Sequence, residues 1–277
     1  MNTGGFENHV LDLVIAATRT LWAKRIFWVA ALLASVLGGA AADTADSIAR
    51  VKRSIAIVGT FKSLESPRFR LRGTGFVVGD GNLVVTNAHV VIDGAEALPD
   101  TSLVVQIWSA DRGFQIRQAT ILKVDKVHDL VIMRFEGGAA PALAIRDSAG
   151  VREGQSVAFT GFPIGGALGY SPVTHRGMIS SITSSIVPTP TARMLNESTI
   201  RGARAGSFDI FQLDATAYPG NSGGPLFDPE SGEVLGVVNM VFIKGTRESA
   251  LSQPSGISYA IPSRFVLDLI EQVKSSR

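Results

Sequence analysis

Ser222 has the surroundings most suggestive of chemistry, because it lies among glycines in the stretch Tyr218 to Asp228, YPGNSGGPLFD. Glycine, proline, asparagine and serine are the usual residues of tight turns, so the stretch is typical of a turn before a strand. Glycine also permits close approach of a substrate and lets N–H groups point at one place, which favours a nucleophilic serine. From these residues alone, both interpretations stay open.

A nucleophilic serine needs a general base, and histidine is the usual base at neutral pH. The sequence has four histidines, and His9 lies in an N-terminal leader. An arginine beside His175 disfavours proton uptake there. His128 begins an apolar run, and the alternation of a strand would direct its side chain away from that of Asp129. His89, at the end of VVTNAH, is the best candidate for the base.

A histidine base works best when a buried carboxylate fixes its tautomer and stabilises the imidazolium. Asp129 precedes the apolar run LVIMRF, so its side chain can lie at the edge of a core. Taken singly, a solvated turn aspartate and a satisfied core histidine are the commoner interpretations. Taken together, the order His89, Asp129, Ser222 is one in which serine protease triads occur.

Composition excludes several classes of protein. The 277 residues are 45% apolar, which is enough for a large core, and 26 Lys and Arg nearly balance 24 Asp and Glu. No run of four basic residues occurs, so nucleic-acid binding is not expected. The chain has no cysteine, which excludes disulfides and cysteine nucleophiles. With few histidines and no HExxH motif, neither a metal nor another cofactor is expected.

Residues 1–42 are typical of a targeting segment. Basic residues precede an apolar stretch, Ile26 to Leu37, which is shorter than the roughly 20 residues of a membrane helix. Ala40 to Ala42 supplies small residues for cleavage, so we predict a signal peptide cleaved after Ala42 and a periplasmic or secreted protein. An uncleaved segment that anchors the chain to a membrane is the alternative.

The elements that must position the candidate residues are short and rich in β-type runs. From Ile55 onward, runs of Val, Ile and Phe are bounded by Gly, Asp or Pro, which is typical of an all-β sandwich or barrel. The sequence VGDGN at 78–82 predicts a hairpin turn, and 137–154 predicts a boundary between two β subdomains. The polar segment 184–207 predicts a long loop. A final helix is predicted after Ser263 as cap. Its apolar face comprises Phe265, Val266, Leu269, Ile270 and Val273.

Six motifs, in sequence order, resemble the protease domain of the HtrA/Deg branch of trypsin-like serine peptidases: GTGFVV, VTNAHVV, HDLVIMRF, GFPIG, GNSGGPL and GISYAIPS. The resemblance covers Ile55 to Ser263. It implies an all-β fold of two chymotrypsin-like antiparallel barrels with the active site between them. The implied order is signal peptide 1–42, linker 43–54, barrel one at about 55–145, barrel two at about 150–262 and a C-terminal helix 263–275.

The resemblance also implies roles for individual residues. His89 would be the general base, Asp129 its orienting carboxylate and Ser222 the nucleophile. The backbone at Gly220, Asn221 and Ser222 would form the oxyanion hole, with N–H groups of Gly220 and Ser222 as donors. The implied specificity pocket is lined by Thr216, Ala217, Tyr218, Asn239, Met240 and Val241. None of these is acidic, so a small or medium apolar residue is favoured before the scissile bond.

The activity implied by the resemblance is hydrolysis of peptide bonds in unfolded or damaged polypeptides. Assembly of the chain into a homo-oligomer is an open possibility. The alternative is a catalytically idle fold that binds polypeptides in a chaperone-like manner, although the complete triad favours the enzyme. Esterases of the α/β-hydrolase fold usually carry G-x-S-x-G, whereas this sequence has G-N-S-G-G.

Asn221 stands where trypsin-type zymogens carry an aspartate, so the ordering of loops is the expected switch between the inactive and the active site. No PDZ domain is expected.

Overall fold

The structure is a computed structural model that describes residues 43–95, 100–109, 111–164, 169–185, 207–240 and 256–276. The predicted signal peptide, most of the predicted loop 184–207 and Val241 lie outside these ranges. Within them, no helix combines the length and the apolar character needed to cross a membrane.

The described strands form two closed barrels of six strands each. Barrel one contains β1 (Ile55–Phe61), β2 (Phe69–Val78), β3 (Leu83–Asn87), β4 (Ser102–Ser109), β5 (Gly113–Asp125) and β6 (Leu130–Phe135). Barrel two contains β7 (Ser156–Gly161), β8 (Val173–Ser184), β9 (Asp209–Asp214), β10 (Pro225–Phe227), β11 (Val234–Asn239) and β12 (Ile257–Pro262).

The two barrels share one topology. Barrel one has the order β1-β2-β3-β6-β5-β4, and barrel two repeats it as β7-β8-β9-β12-β11-β10. All of these strand pairings are antiparallel. The segment between β6 and β7 includes the predicted boundary at 137–154. The all-β, two-barrel fold predicted from the resemblance is confirmed.

Strand β1 explains why several strands are continuous apolar runs. Successive side chains of a strand face opposite sides, and both sides of β1 are buried. Ala56 and Val58 pack in the interior of barrel one. Ile55 and Ile57 belong to a second cluster that also contains Val237 of barrel two. This second cluster is the interface between the barrels, and we call it the interface core.

Three α-helices accompany the barrels in the described residues: α1 (Thr44–Arg53), α2 (Ala88–Ala95) and α3 (Arg264–Ser275). Helix α3 confirms the predicted C-terminal helix, and it contacts β5 and β6 of barrel one as well as β12. Its buried residues belong to the interface core: Val266, Leu269, Ile270 and Val273. Ser263 is the N-cap residue, but its side chain makes no capping bond. Its hydroxyl instead donates to the carbonyl of Arg146 at 2.5 Å.

Residues 43–54, predicted as a linker, contain helix α1. Asp43 caps the helix by accepting a hydrogen bond from the N–H of Ala45 at 3.1 Å. Ser47 is buried and donates its hydroxyl to the carbonyl of Glu230 at 2.6 Å, and Val51 is buried in the interface core. Contacts with barrel two therefore hold α1, a helix that was not predicted from the sequence.

Candidate active site

The pairing of β3 with β6 brings His89 and Asp129 together. The strands are antiparallel, and Asn87 at the end of β3 is opposite Leu130 at the start of β6. The chain leaving β3 therefore passes the chain entering β6, which places His89, in the first turn of α2, beside Asp129. Asp129 has a φ of 52°, a left-handed conformation that aspartate adopts more readily than most residues.

The imidazole of His89 is held in one tautomer. Its Nδ1 lies 2.6 Å from Oδ2 of Asp129, and the backbone N–H of His89 donates to Oδ1 at 2.8 Å. An ionised carboxylate can only accept hydrogen bonds, so Nδ1 carries the proton and Nε2 keeps its lone pair. Nε2 is therefore the ring atom that can take up a proton.

A further hydrogen bond to Asp129 comes from barrel two. Asn239, fully buried at the end of β11, donates from Nδ2 to Oδ2 of Asp129 at 2.7 Å. The predicted role of Asn239 in lining the specificity pocket stays a prediction, and its side chain is directed at this carboxylate. Sequence patterns gave no signal of the contact, because the two residues are 110 positions apart and belong to different barrels.

Ser222 lies in the loop between β9 and β10, and this loop packs on barrel one. Its carbonyl accepts a hydrogen bond from the N–H of Thr74 at 2.9 Å. A Cβ atom added to Gly73 would lie 2.8 Å from Cγ2 of Val90 and 2.9 Å from the carbonyl oxygen of Ser222. Val90, which follows His89 in the chain, and the backbone of Ser222 therefore both lie against Gly73.

The five carbonyl groups of residues 218–222 all accept hydrogen bonds. The donors, in order, are Asn221 N–H at 2.9 Å, Ile164 N–H at 2.7 Å, Thr74 Oγ1 at 2.6 Å, Gly224 N–H at 2.9 Å and Thr74 N–H at 2.9 Å. In the part of the chain that the structure describes, the N–H groups of Gly220 and Ser222 have no protein acceptor. The loop therefore keeps two free donors beside the hydroxyl of Ser222.

Two glycines of this loop have backbone conformations that favour glycine. Gly220 has a φ of 105° and Gly223 a φ of 85°, where an L side chain is strained. A Cβ on Gly223 would also collide with the carbonyl of Thr74 and the hydroxyl of Thr86. Gly223 thus lets the loop approach barrel one closely, and the loop is both a tight turn and a support for the serine.

Asn221 has a different position from its neighbours in the predicted oxyanion hole. Its N–H donates to the carbonyl of Tyr218 at 2.9 Å, so it is not a free donor. Its side chain is fully buried, and both of its polar atoms are without a hydrogen-bond partner. Only Gly220 and Ser222 therefore remain as candidate donors to an oxyanion.

Residues 216–218, predicted to form one wall of the specificity pocket, run as one segment beside barrel two. Ala217 is buried, and its N–H donates to Oγ of Ser258 at 2.7 Å. Ser258 was not singled out from the sequence, because its hydroxyl acts on backbone 41 positions away. Met240, predicted for the other wall, packs against the core of barrel two, and Val241 lies outside the described residues.

His128 forms a separate pair with Asp125, in which Nδ1 lies 2.6 Å from Oδ2. Its ring stacks on Phe265 of α3 at a centroid distance of 3.8 Å and meets the edge of Phe208 at 4.6 Å. His128 and Asp129 both lie in the turn before β6, so turn geometry rather than strand alternation separates their side chains.

His175 is partly buried on β8 of barrel two. Its ring stacks on Phe159 with a centroid distance of 4.9 Å. Burial lowers the pKa of His175, because removal from water disfavours the charged form. The ring therefore serves packing, in agreement with its exclusion as the base.

Comparison with protein families identifies relatives of the chain. Residues 73–237 match the family model described as trypsin-like peptidase domain. A probable periplasmic serine endoprotease DegP-like of Halomonas elongata is 29% identical over 206 residues, which are 74% of this chain and 36% of the relative. Serine protease HTRA3 of Homo sapiens is 31% identical over 192 residues, 69% of this chain and 35% of the relative. The chain thus spans about a third of the length of these curated relatives.

A solved structure has the same fold. HtrA-type protease AlgW with tripeptide superposes with a TM-score of 0.59 at 23% identity, covering 83% of this chain and 63% of that one. At this identity the likeness concerns the arrangement of the two barrels.

Proposed function

The chain belongs to the family of trypsin-like peptidases, and from this premise we propose that it is a serine endopeptidase of HtrA/Deg type. Ser222 is the nucleophile, His89 the general base and Asp129 the carboxylate that orients His89. The observation that carries the proposal is the loop 218–222, whose carbonyls are all hydrogen-bonded, while two N–H groups beside the serine have no acceptor among the described residues.

In the acylation step, Oγ of Ser222 attacks the carbonyl carbon of the scissile peptide bond and gives its proton to Nε2 of His89. Asp129 stabilises the resulting imidazolium through the bond at 2.6 Å. Asn239 holds the same carboxylate oxygen from barrel two. The imidazolium then donates its proton to the leaving amine, and the peptide bond breaks.

The negative oxygen of the tetrahedral intermediate accepts hydrogen bonds from the N–H groups of Gly220 and Ser222. Each donor in such a site contributes about 3 to 4 kcal/mol to stabilisation of the transition state. Water then attacks the acyl-enzyme by the same sequence of proton transfers, with His89 again as the base. The cycle consumes one water molecule and returns Ser222 to its starting state.

The substrates in this proposal are polypeptides with a small or medium apolar residue before the scissile bond. In this proposal, Thr216, Ala217 and Tyr218 form one wall of the pocket, and Asn239, Met240 and Val241 the other. None of the residues named for the pocket is acidic, so a basic side chain would lack a partner there, and burial of an unpaired charge is costly.

Export is part of the proposal, because the leader of residues 1–42 has the pattern of a signal peptide and a relative is named as periplasmic. Mass spectrometry of the protein from its native host should identify Asp43 or a near neighbour as the first residue. A mature chain that retains Ile26 to Leu37 would support the membrane anchor instead.

The activity is tested with Ser222→Ala, which removes one oxygen atom from a buried side chain. We expect the variant to lose labelling by a fluorophosphonate probe and cleavage of casein, with an unchanged circular dichroism spectrum. Ser231→Ala, at an exposed serine, is the matched control and should keep both activities. Proteolysis retained by Ser222→Ala would falsify the assignment of the nucleophile, and an unreactive wild type would favour the idle fold.

A further inference from the structure

Thr74 connects barrel one to the loop that carries Ser222. It lies in β2, and its side chain is fully buried. Its Oγ1 is 2.6 Å from the carbonyl oxygen of Gly220 and 3.1 Å from the backbone nitrogen of Phe162. Its own N–H donates to the carbonyl of Ser222 at 2.9 Å. One threonine thus holds the backbone on both sides of Asn221.

The direction of these bonds follows from the chemistry of the groups. The backbone nitrogen of Phe162 can only donate, and the carbonyl of Gly220 can only accept. The single hydroxyl proton of Thr74 is therefore directed to Gly220, while its oxygen accepts from Phe162. Both of these bonds are made by the hydroxyl of Thr74, so a substitution that removes it removes both.

The preceding carbonyl is held by Ile164, whose N–H donates to Pro219 at 2.7 Å. The C=O of Pro219 and the N–H of Gly220 belong to one planar trans peptide and point in opposite directions. With its carbonyl fixed on Ile164, this peptide turns the N–H of Gly220 to the other side, where the structure gives it no protein acceptor.

Ile164 adopts a strained conformation to make this contact. Its φ is 59°, and the left-handed region is a marked outlier for a β-branched residue. Such a conformation persists only where the surrounding structure imposes it. The bond to Pro219 is therefore made against the local preference of the chain, and it depends on neighbouring contacts such as that of Phe162 with Thr74.

We propose that Thr74 is a positioning residue of the oxyanion hole, which acts through its hydroxyl on the carbonyl of Gly220. Together with Ile164 it fixes two consecutive carbonyls, so that the N–H of Gly220 faces the place where the oxyanion forms. Loss of these contacts lets the peptide rotate and presents the carbonyl of Pro219 to the substrate. The inference rests on the proposed peptidase function, and Thr74 itself touches no substrate.

Thr74→Val tests the proposal, because valine keeps the shape of threonine and removes the hydroxyl. We expect kcat on a peptide substrate to fall about 10- to 100-fold, which is no more than the fall caused by removal of one oxyanion donor. KM should stay within about threefold of the wild-type value. The inhibition constant of a peptidyl trifluoromethyl ketone should rise by the same factor as kcat/KM falls, because its hemiketal oxygen occupies the oxyanion hole. Thr74→Ser restores the hydroxyl and should restore both values to within about threefold.

Thr160→Val is the matched control. Thr160 is another fully buried threonine, and its hydroxyl pairs with that of Thr174 at 2.8 Å. The control should lower the melting temperature without changing kcat. A wild-type kcat in Thr74→Val, an equal loss in Thr74→Ser, or an equal loss in Thr160→Val would overturn the role of Thr74.

Variants of Ile164 keep the proposal testable if Thr74→Val does not fold. Ile164→Gly keeps the donor and relieves the strain, so kcat should equal or exceed the wild-type value. Ile164→Pro removes the donor and should lower kcat at least about tenfold, the effect of misplacing an oxyanion donor. Equal kcat in these two variants would contradict the inference.

The failure of the proposed function and the failure of the inference give different results. Inactivity of the wild type contradicts the proposed function, whereas an active wild type with an equally active Thr74→Val contradicts the role of Thr74 alone.

Discussion

Two histidine–aspartate pairs in the described residues have the same bond length and different surroundings. The distance from Nδ1 to Oδ2 is 2.6 Å in both His89–Asp129 and His128–Asp125. The side chains are also similarly exposed, at 24% and 21% in the first pair and 22% each in the second. Neither the distance nor the exposure therefore distinguishes a candidate catalytic pair from a structural one.

The pairs differ in where their partners come from. His128 and Asp125 lie three residues apart in one turn, and the other donors to Asp125 are backbone N–H groups of the same turn. His89 and Asp129 are 40 residues apart, and Asn239 reaches Asp129 from the other barrel. The local pair can form in a turn by itself, whereas His89–Asp129 requires the pairing of β3 with β6, and the added bond from Asn239 requires both barrels in place.

The largest expected difference is in activity. His89→Ala should lower kcat/KM on a peptide substrate by at least about 10⁴-fold, because it removes the base. His128→Ala should keep kcat/KM within about threefold, because its ring packs on Phe265 and Phe208 and has no part in the proposed proton transfer. An equal loss of activity in both variants, with both proteins folded, would remove the functional distinction between the pairs.

Asn239→Leu sharpens the comparison at the bond that has no equivalent in the local pair. The change removes one hydrogen bond to the carboxylate of Asp129 at similar side-chain volume. We expect kcat to fall about 10- to 100-fold, as for loss of a hydrogen bond to a charged group, with little change in KM. Steady-state kinetics distinguish this from the pocket role predicted from the sequence, which requires a raised KM at constant kcat.

The smallest effect is on stability, at Asp125. Burial by itself raises the pKa of Asp125, but hydrogen bonds from His128 and Val127 together hold it below its ordinary 3.8. A carboxyl group whose pKa is lowered by folding stabilises the folded state at pH values above its ordinary pKa. This contribution is lost as the pH falls through the pKa of the folded state. Asp125→Asn should therefore lower the free energy of unfolding by about 1 to 2 kcal/mol at pH 7, with a smaller difference at pH 3. Urea unfolding at both pH values measures this, and kcat at pH 7 should not change.

The sequence was sufficient for residues whose signals are local. The glycines around Ser222 predicted a loop, and the apolar runs next to His89 and Asp129 predicted a base and an acid. The structure places Nδ1 of His89 2.6 Å from Oδ2 of Asp129, and the catalytic roles stay predictions. The apolar face of α3 was equally readable, since it repeats at helical spacing. The two barrels followed from the resemblance, because periodicity alone left a sandwich and a barrel open.

The features that were not predicted from the sequence depend on contacts between residues that are far apart in the chain. Thr74 and Ser258 each hold distant backbone through one hydroxyl, and their neighbours in sequence are ordinary strand residues. Ile164 contributes an N–H, a group that every non-proline residue has, so only its backbone conformation identifies it. Helix α1 is held by tertiary contacts, which a propensity argument does not contain.

The interface core also determines when during synthesis the domain can become complete. It contains Val51 from α1 and Val273 from α3, and α3 contacts β5 and β6 of barrel one. The ribosome delivers these residues at opposite ends of the described domain. Until α3 has emerged from the ribosome, barrel one of a nascent chain thus exposes to water the face of β5 and β6 that α3 contacts. A chain arrested before residue 264 would already contain His89, Asp129 and Ser222, yet it would lack the helix that covers both barrels.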